Sequence, residues 1–190
     1  MRIHEPRPLA RSRRVRRAAV LVALALVGSA GAAQAAEPGI PADIQVPEGN
    51  KLYLEAYATG VQIYDCVAIG DGYGWGPATP RADLYADNGK LFGTHYAGPT
   101  WAARDGSKVI AKRDKGVIMD QTAIPWLRLS KVSTAVGADG DRLAGTTFIQ
   151  RINTTGGLPP AAADCNAATA GSRQEIDYTA TYRFWKLSDA

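Results

Sequence analysis

The sequence predicts an all-β fold, an antiparallel sandwich or barrel with long Gly/Pro-rich loops and one disulfide. No stretch after residue 36 holds a sustained helical apolar period, and Gly or Pro interrupts every window long enough for a helix. Several short runs instead alternate apolar and polar residues with the period of two that a half-buried strand imposes. Between those runs stand Asn88-Gly89, Asp105-Gly106 and Asp139-Gly140, dipeptides whose members tolerate the positive φ of tight turns.

Residues 1–35 are expected to be a cleaved signal peptide. A basic stretch at 11–17 precedes an apolar run starting at Ala18, and Ala33-Gln34-Ala35 supplies the small-x-small pattern of a signal-peptidase site, with Ala36 as the expected mature N-terminus. The apolar run is short and broken by Gly28 and Ser29, whereas a membrane anchor needs about 18 or more apolar residues. Ser12-Arg13-Arg14 offers the arginine pair of a twin-arginine signal without the Phe-Leu that follows it, which favours general secretion. The expected location is secreted, either extracellular or in the cell envelope. No later segment is apolar enough to span a bilayer, so no stable membrane insertion is expected after signal cleavage.

The leader also dominates the charge. Seven of the 22 Lys and Arg residues and one of the 18 Asp and Glu residues lie in it, leaving 15 basic against 17 acidic side chains, a formal charge of −2. The high isoelectric point of the whole chain therefore gives no support to nucleic-acid binding. The 155 residues that remain fit one domain.

In chain order, residues 36–50 place Pro38, Pro41 and Pro47 among few large apolar residues and are expected to form an extended N-terminal arm. Residues 51–190 are expected to form a single β domain. Its first strand, 51–58, alternates Leu52, Leu54, Ala56 and Ala58 against Tyr53, Glu55 and Tyr57, and 61–69 continues with β-branched residues; Gly60 is the expected turn or bend between them. The three turn dipeptides then divide 84–92, 101–110 and 127–152 into strand pairs. The clearest strand is the last, where Ile176, Tyr178, Ala180, Tyr182 and Phe184 share one face and Asp177, Thr179, Thr181 and Arg183 the other. Two segments exceed a minimal β domain, the Gly-rich 70–80 and the connection 153–175, and long loops are more often functional than idle. The two cysteines, Cys66 and Cys165, form an even count in an exported chain, which predicts one disulfide.

The strings V-Q-I-Y-D-C (61–66), G-T-H-Y-A-G-P-T-W with D-G-S (93–107), I-P-W-L (124–127), F-I-Q-R-I-N-T-T-G-G-L-P-P (148–160) leading to Cys165, and Y-T-A-T-Y-R-F (178–184) follow one another in order. Over roughly residues 44–186 the chain resembles a family of exported bacterial and fungal proteins described as a domain of unknown function. The resemblance implies that Cys66 and Cys165 are the family's shared cysteines, and it brings no activity with it. Some fungal relatives carry a malate dehydrogenase label, which would need a nucleotide fingerprint. Residues 72–76 are Gly-rich but open no helix after a strand, so that label finds no physical support here.

Candidate chemistry is sparse. His95 is the one histidine beyond the leader, so a histidine-rich metal site is excluded, and a zinc site with Cys66 and Cys165 would need reduced thiols. No metal and no cofactor is assigned. A triad of His95 with Ser107 and an aspartate lacks a nucleophile elbow, and a hydrogen-bonded structural histidine is the commoner outcome. Asp65, Asp83 and Asp105 lie near aromatics, yet Asp105 opens a turn and Asp83 leads a strand, where carboxylates serve local amides. Gln150, Arg151 and Asn153 are expected to cap backbone groups in preference to lining a pocket. Trp75 sits in Gly-rich sequence that cannot itself bury it, and Trp101 follows Gly98-Pro99 and is able to flank the same region. Trp75, Trp101 and His95 are therefore the candidate ligand-binding residues, and no catalytic residue is assigned. The expected function is an extracellular binding or structural module whose partner is a cell-surface glycan or another small ligand. The alternative is a secreted hydrolase using His95 or acidic residues.

Overall fold

The computed structural model describes residues 39–189 together with Met1. Apart from Met1, the expected signal peptide and its cleavage site at 35–36 lie outside the described residues. Nine strands follow the turn signals: β1 (Asn50–Ile69), β2 (Gly72–Trp75), β3 (Thr79–Tyr85), β4 (Leu91–Tyr96), β5 (Thr100–Ala103), β6 (Lys108–Val117), β7 (Trp126–Ala135), β8 (Thr146–Gly156) and β9 (Arg173–Leu187). From β3 to β9 each strand pairs antiparallel with the next, and β1 pairs with β3 on one edge and β9 on the other. Eight strands thus close into a barrel in which each of the eight has a paired neighbour on both sides. β2 folds back on the end of β1, from Cys66↔Trp75 to Ile69↔Gly72.

Gly60 is not a turn. β1 runs through it unbroken, paired with Ala82 on one side and Tyr178 on the other. A Cβ there would lie 2.2 Å from the Arg81 carbonyl oxygen and 2.5 Å from Ala82 Cα, so glycine permits the close approach of β1 and β3 that a tightly coiled barrel requires. The turn or bend expected at Gly60 is instead a continuous strand position, where the missing side chain and not the backbone freedom of glycine is used. True turns occur where positive φ is needed, at Gly89 (φ 74°) between β3 and β4 and at Gly106 (φ 85°) between β5 and β6.

Side chains alternate across each strand, and the inward set fills the barrel. Small residues, Ala56, Ala58, Ala82, Ala103, Ala111 and Ala180, leave room for the rings of Trp101, Tyr178, Tyr182, Phe92 and Phe184, all buried. One end of the barrel is plugged. Asp105 in the β5–β6 turn accepts hydrogen bonds from the Ser107 amide and hydroxyl and from the Arg142 amide, while the Ser107 hydroxyl accepts from the Leu143 amide and sets fully buried Leu143 into the core.

Two outer segments brace the wall. The arm makes a short 3-10 turn at Ala42–Ile44; Ile44 is buried, and its carbonyl accepts a hydrogen bond from Gln150 Nε2 at 2.8 Å. Residues 157–172 form the loop between β8 and β9, tied to β1 by the Cys66–Cys165 disulfide. The Cys66 amide also donates to the Ser172 carbonyl, and the Gly171 amide to the Cys66 carbonyl.

Replacing Gly60 with Val is expected to destabilise the fold by about 3 kcal/mol, because the collision is with backbone that cannot move aside. Urea denaturation with an unchanged midpoint would refute the close-approach account. The disulfide closes a loop spanning 99 residues in sequence, and its removal in Cys66→Ala/Cys165→Ala is expected to cost roughly 4–5 kcal/mol on chain-entropy grounds. The same denaturation measurement decides this.

Candidate functional site

The barrel end opposite the Asp105 plug is open, and a cavity of about 460 Å³ enters it. Its walls are apolar: Pro77, Ala78, Pro80 and Pro99 come from the loops and strand starts at the mouth, and Leu127 and Leu129 from β7. The polar contribution comes from Gln62, His95, Trp101, Arg113, Arg151 and Tyr182, each from a different strand.

Register explains why these side chains meet. Gln62 follows Ala58 and Gly60 at the inward period of β1 and lies opposite Pro80. His95 lies between Ala82 of β3 and Trp101 of β5, and Arg151 of β8 lies between Leu127 of β7 and Tyr182 of β9. Arg113 is opposite Leu129, just before β6 bulges. A Cβ at Gly116 would come within 2.6 Å of Arg113 Nη2 and 2.8 Å of Leu127 Cδ2, so the missing side chain leaves space for that guanidinium.

Three rings of the cavity lining pack against one another. His95 stacks on Trp101 with centroids 4.1 Å apart and 12° between planes, and Tyr182 meets both edge-on at 5.1 and 5.3 Å. His95 is 3% exposed and Trp101 1%. His95 Nδ1 lies 2.9 Å from the Thr100 carbonyl oxygen, which can only accept, so Nδ1 carries the proton. Burial, reinforced by the nearby Arg151 charge and opposed by the Thr100 bond, lowers the His95 pKa to about 3. The ring is neutral at physiological pH, and Nε2 keeps its lone pair.

Arg151 is half-buried. Its Nε and Nη2 donate to the Pro125 carbonyl at 3.1 and 2.8 Å. Its charge acts on Tyr64, Tyr178 and Tyr182; burial raises the pKa of all three phenols, and the guanidinium opposes that shift in each. The Tyr64 hydroxyl donates to the Gly157 carbonyl at 2.7 Å, and the Tyr178 and Tyr182 hydroxyls are 3.3 Å apart. Among the described residues, no carboxylate forms an ion pair with Arg151 or Arg113, and the cavity lining holds no Asp or Glu. Two buried donors in lining residues, Gln62 Nε2 and Trp101 Nε1, have no hydrogen-bond partner among the described residues. The chemistry of the cavity is thus that of a donor-rich, positively charged recess with apolar walls.

His95 and Trp101 come together in this recess, and Trp75 stands apart from it. Trp75 is half-buried opposite Cys66, and its indole N–H donates to the Ala161 carbonyl at 3.1 Å, bracing the 157–172 loop. Ser107 is bonded to Asp105 and Leu143 at the plugged end, away from His95. Asp65 pairs with Arg173 through two bonds at 2.7 and 3.1 Å, Asp83 is exposed on β3, and Asp105 is in its turn, so the three carboxylates share no site. Gln150 caps the Ile44 carbonyl and Arg151 the Pro125 carbonyl, as expected of structural polar residues, and Arg151 lines the cavity as well. Asn153, at φ 50°, occupies the irregularity between Ile152 and Thr155 in the β8–β9 ladder. Gln62 and Arg113 carried no local signal beyond being polar residues at inward-facing positions of otherwise apolar strand faces.

Residues 47–186 match the model of a family described as "Protein of unknown function (DUF3455)". No curated protein and no solved structure matches the chain.

The burial of neutral His95 has a measurable sign. An unfolded histidine takes up a proton near pH 6.5, and His95 in the fold does so only at about 3. Between those values the unfolded chain holds a proton that the folded chain lacks, so stability falls as pH drops through 6.5, by up to about 1.4 kcal/mol per pH unit. Denaturation midpoints taken between about pH 7 and pH 5, above the range where unfolded aspartates titrate, should show this loss, and His95→Gln should flatten it. An equal slope in the variant would assign the acid sensitivity to other groups.

Proposed function

The chain belongs to this family of proteins of unknown function, and we propose that its barrel is an exported binding module that takes one small organic ligand into its open mouth. The observation that carries this reading is the cavity itself. It is concave, lies at the mouth of a closed eight-stranded barrel, and combines apolar walls with a few convergent polar groups, the composition typical of ligand pockets. The leader-like residues 1–35 support a site of action outside the cytoplasm. A surface glycan fits less well, because Trp101 and Tyr182 are buried and Trp75 is engaged with Ala161, leaving no open aromatic platform among these residues. The hydrolase alternative has a concave setting around His95, but Ser107 and the three aspartates considered for it stand elsewhere.

Screening small aromatic and branched-chain compounds by thermal shift should yield ligands that raise the melting temperature. At a hundredfold excess over Kd the expected gain is about 2.7 kcal/mol. Ala78 is exposed at the rim, so Ala78→Trp should leave the fold intact while narrowing the entrance and abolishing the shift. Compounds that protect the variant as well as the parent would place binding outside the barrel.

A further inference from the structure

Resting on the small-ligand reading, we infer that the ligand is an organic acid, with one anionic head held by Arg151, Arg113, Gln62 and Trp101 and a compact hydrocarbon body against the proline and leucine walls. Each lining residue with a charge is cationic. Arg151 and Arg113 have no carboxylate partner among the described residues, and Arg151 is half-buried beside tyrosines with the Pro125 carbonyl taking both Nε and Nη2. A guanidinium offers five donors in a planar fork that matches a carboxylate, so hydrogen-bonding capacity remains on that side chain.

Two neutral donors point to the same chemistry. Gln62 is 3% exposed and Trp101 1%, and Gln62 Nε2 and Trp101 Nε1 are both without an acceptor among the described residues. Buried donors in folded proteins are nearly always paired, and leaving one unpaired is costly unless something else completes it. An anion supplies several lone pairs at once and balances the arginines as well. A neutral amide or alcohol supplies fewer acceptors and no charge, and a cation would meet two like charges. Inorganic anions satisfy the head alone. The apolar walls formed by Pro77, Pro80, Pro99, Leu127 and Leu129 would then stay wet, which favours a ligand that carries carbon.

The test uses matched acid, amide and ammonium forms of benzene, naphthalene and a branched alkyl chain, together with inorganic phosphate, titrated calorimetrically into the purified protein. The acid of the best-fitting series should bind roughly tenfold or more tightly than its amide, and the ammonium form should not bind. Phosphate should bind more weakly than that acid. Arg113 is exposed, so Arg113→Gln should fold normally and lower acid affinity about tenfold while leaving amide affinity nearly unchanged. Gln62→Leu removes an unpartnered donor, so it should keep or raise the melting temperature while weakening the acid. An amide or ammonium form that equals its acid overturns the acid assignment and leaves the small-ligand reading standing. Phosphate binding as tightly as the best acid overturns the hydrocarbon part. If no acid outbinds its amide while the thermal-shift ligands still bind in the cavity, the inference fails alone; if nothing binds the cavity at all, it fails together with the reading it rests on.

Discussion

From Tyr57 to Ile63, β1 is hydrogen-bonded along both edges, to β3 on one side and to β9 on the other. Strands β3 to β9 reach one another through successive sequence neighbours, whereas β1 and β9 come from opposite ends of the domain. Their ladder, from Asn50↔Leu187 to Asp65↔Arg173, converts an open sheet with two exposed edges into a closed wall. The geometry of closure then constrains residue identity. At Gly60 the neighbouring backbone occupies the space a side chain would take, and Gly93 has the same relation to Ala102, whose carbonyl oxygen would stand 2.2 Å from an added Cβ. Irregularities in the β1–β9, β6–β7 and β8–β9 ladders add the local twist that a small barrel needs.

Closure also creates the cavity. An eight-stranded barrel has an interior that side chains nearly fill, so the distribution of small and large residues decides where space is left. Phe92, Phe184 and Leu143 occupy the plugged end, and alanines line the middle. Toward the mouth, the stacked rings of His95 of β4 and Trp101 of β5 meet Tyr182 of β9 across the barrel, since β5 and β9 stand four strands apart in the ring of eight, and Leu127, Leu129 and Arg151 line the cavity from β7 and β8. Neutral His95 belongs to that stack. A protonated ring there would face Arg151 in a buried setting, and its lowered pKa is the expression of that cost.

Outside the wall, polar side chains act as struts. Gln150 donates to the Ile44 carbonyl and accepts from Trp185 Nε1 at 3.0 Å, linking the arm, β8 and β9 through one amide. Arg128 Nη1 donates to the Gln45 carbonyl at 2.7 Å and fixes the same arm over β7. Across the barrel, the disulfide and the Trp75 bond to Ala161 hold the 157–172 loop near the end of β1. That loop begins at Gly157, whose carbonyl receives the Tyr64 hydroxyl and whose missing side chain accommodates Gln62, so the brace reaches to the edge of the cavity.

The local chemistry of the chain determined the all-β class, the β3–β4 and β5–β6 hairpins and the inward face of β9, because turn propensity and period-two alternation act over a few residues and need no tertiary partner. Its two cysteines likewise left one pairing available, and that pairing is the one observed. Tertiary structure alone chose a barrel over a sandwich, since both use the same alternating strands and differ in whether the first strand meets the last. It turned Gly60 from an expected turn or bend into the middle of a 20-residue strand, through an approach of Arg81 that sequence spacing does not encode. It separated Trp75 from Trp101, giving the first to a loop brace and the second to the cavity. The grouping of Gln62, His95, Arg113 and Arg151 belongs to the same class of decision. These residues come from β1, β4, β6 and β8, and what brings them to one mouth is the register of a closed ring, a long-range property to which no short window of sequence responds.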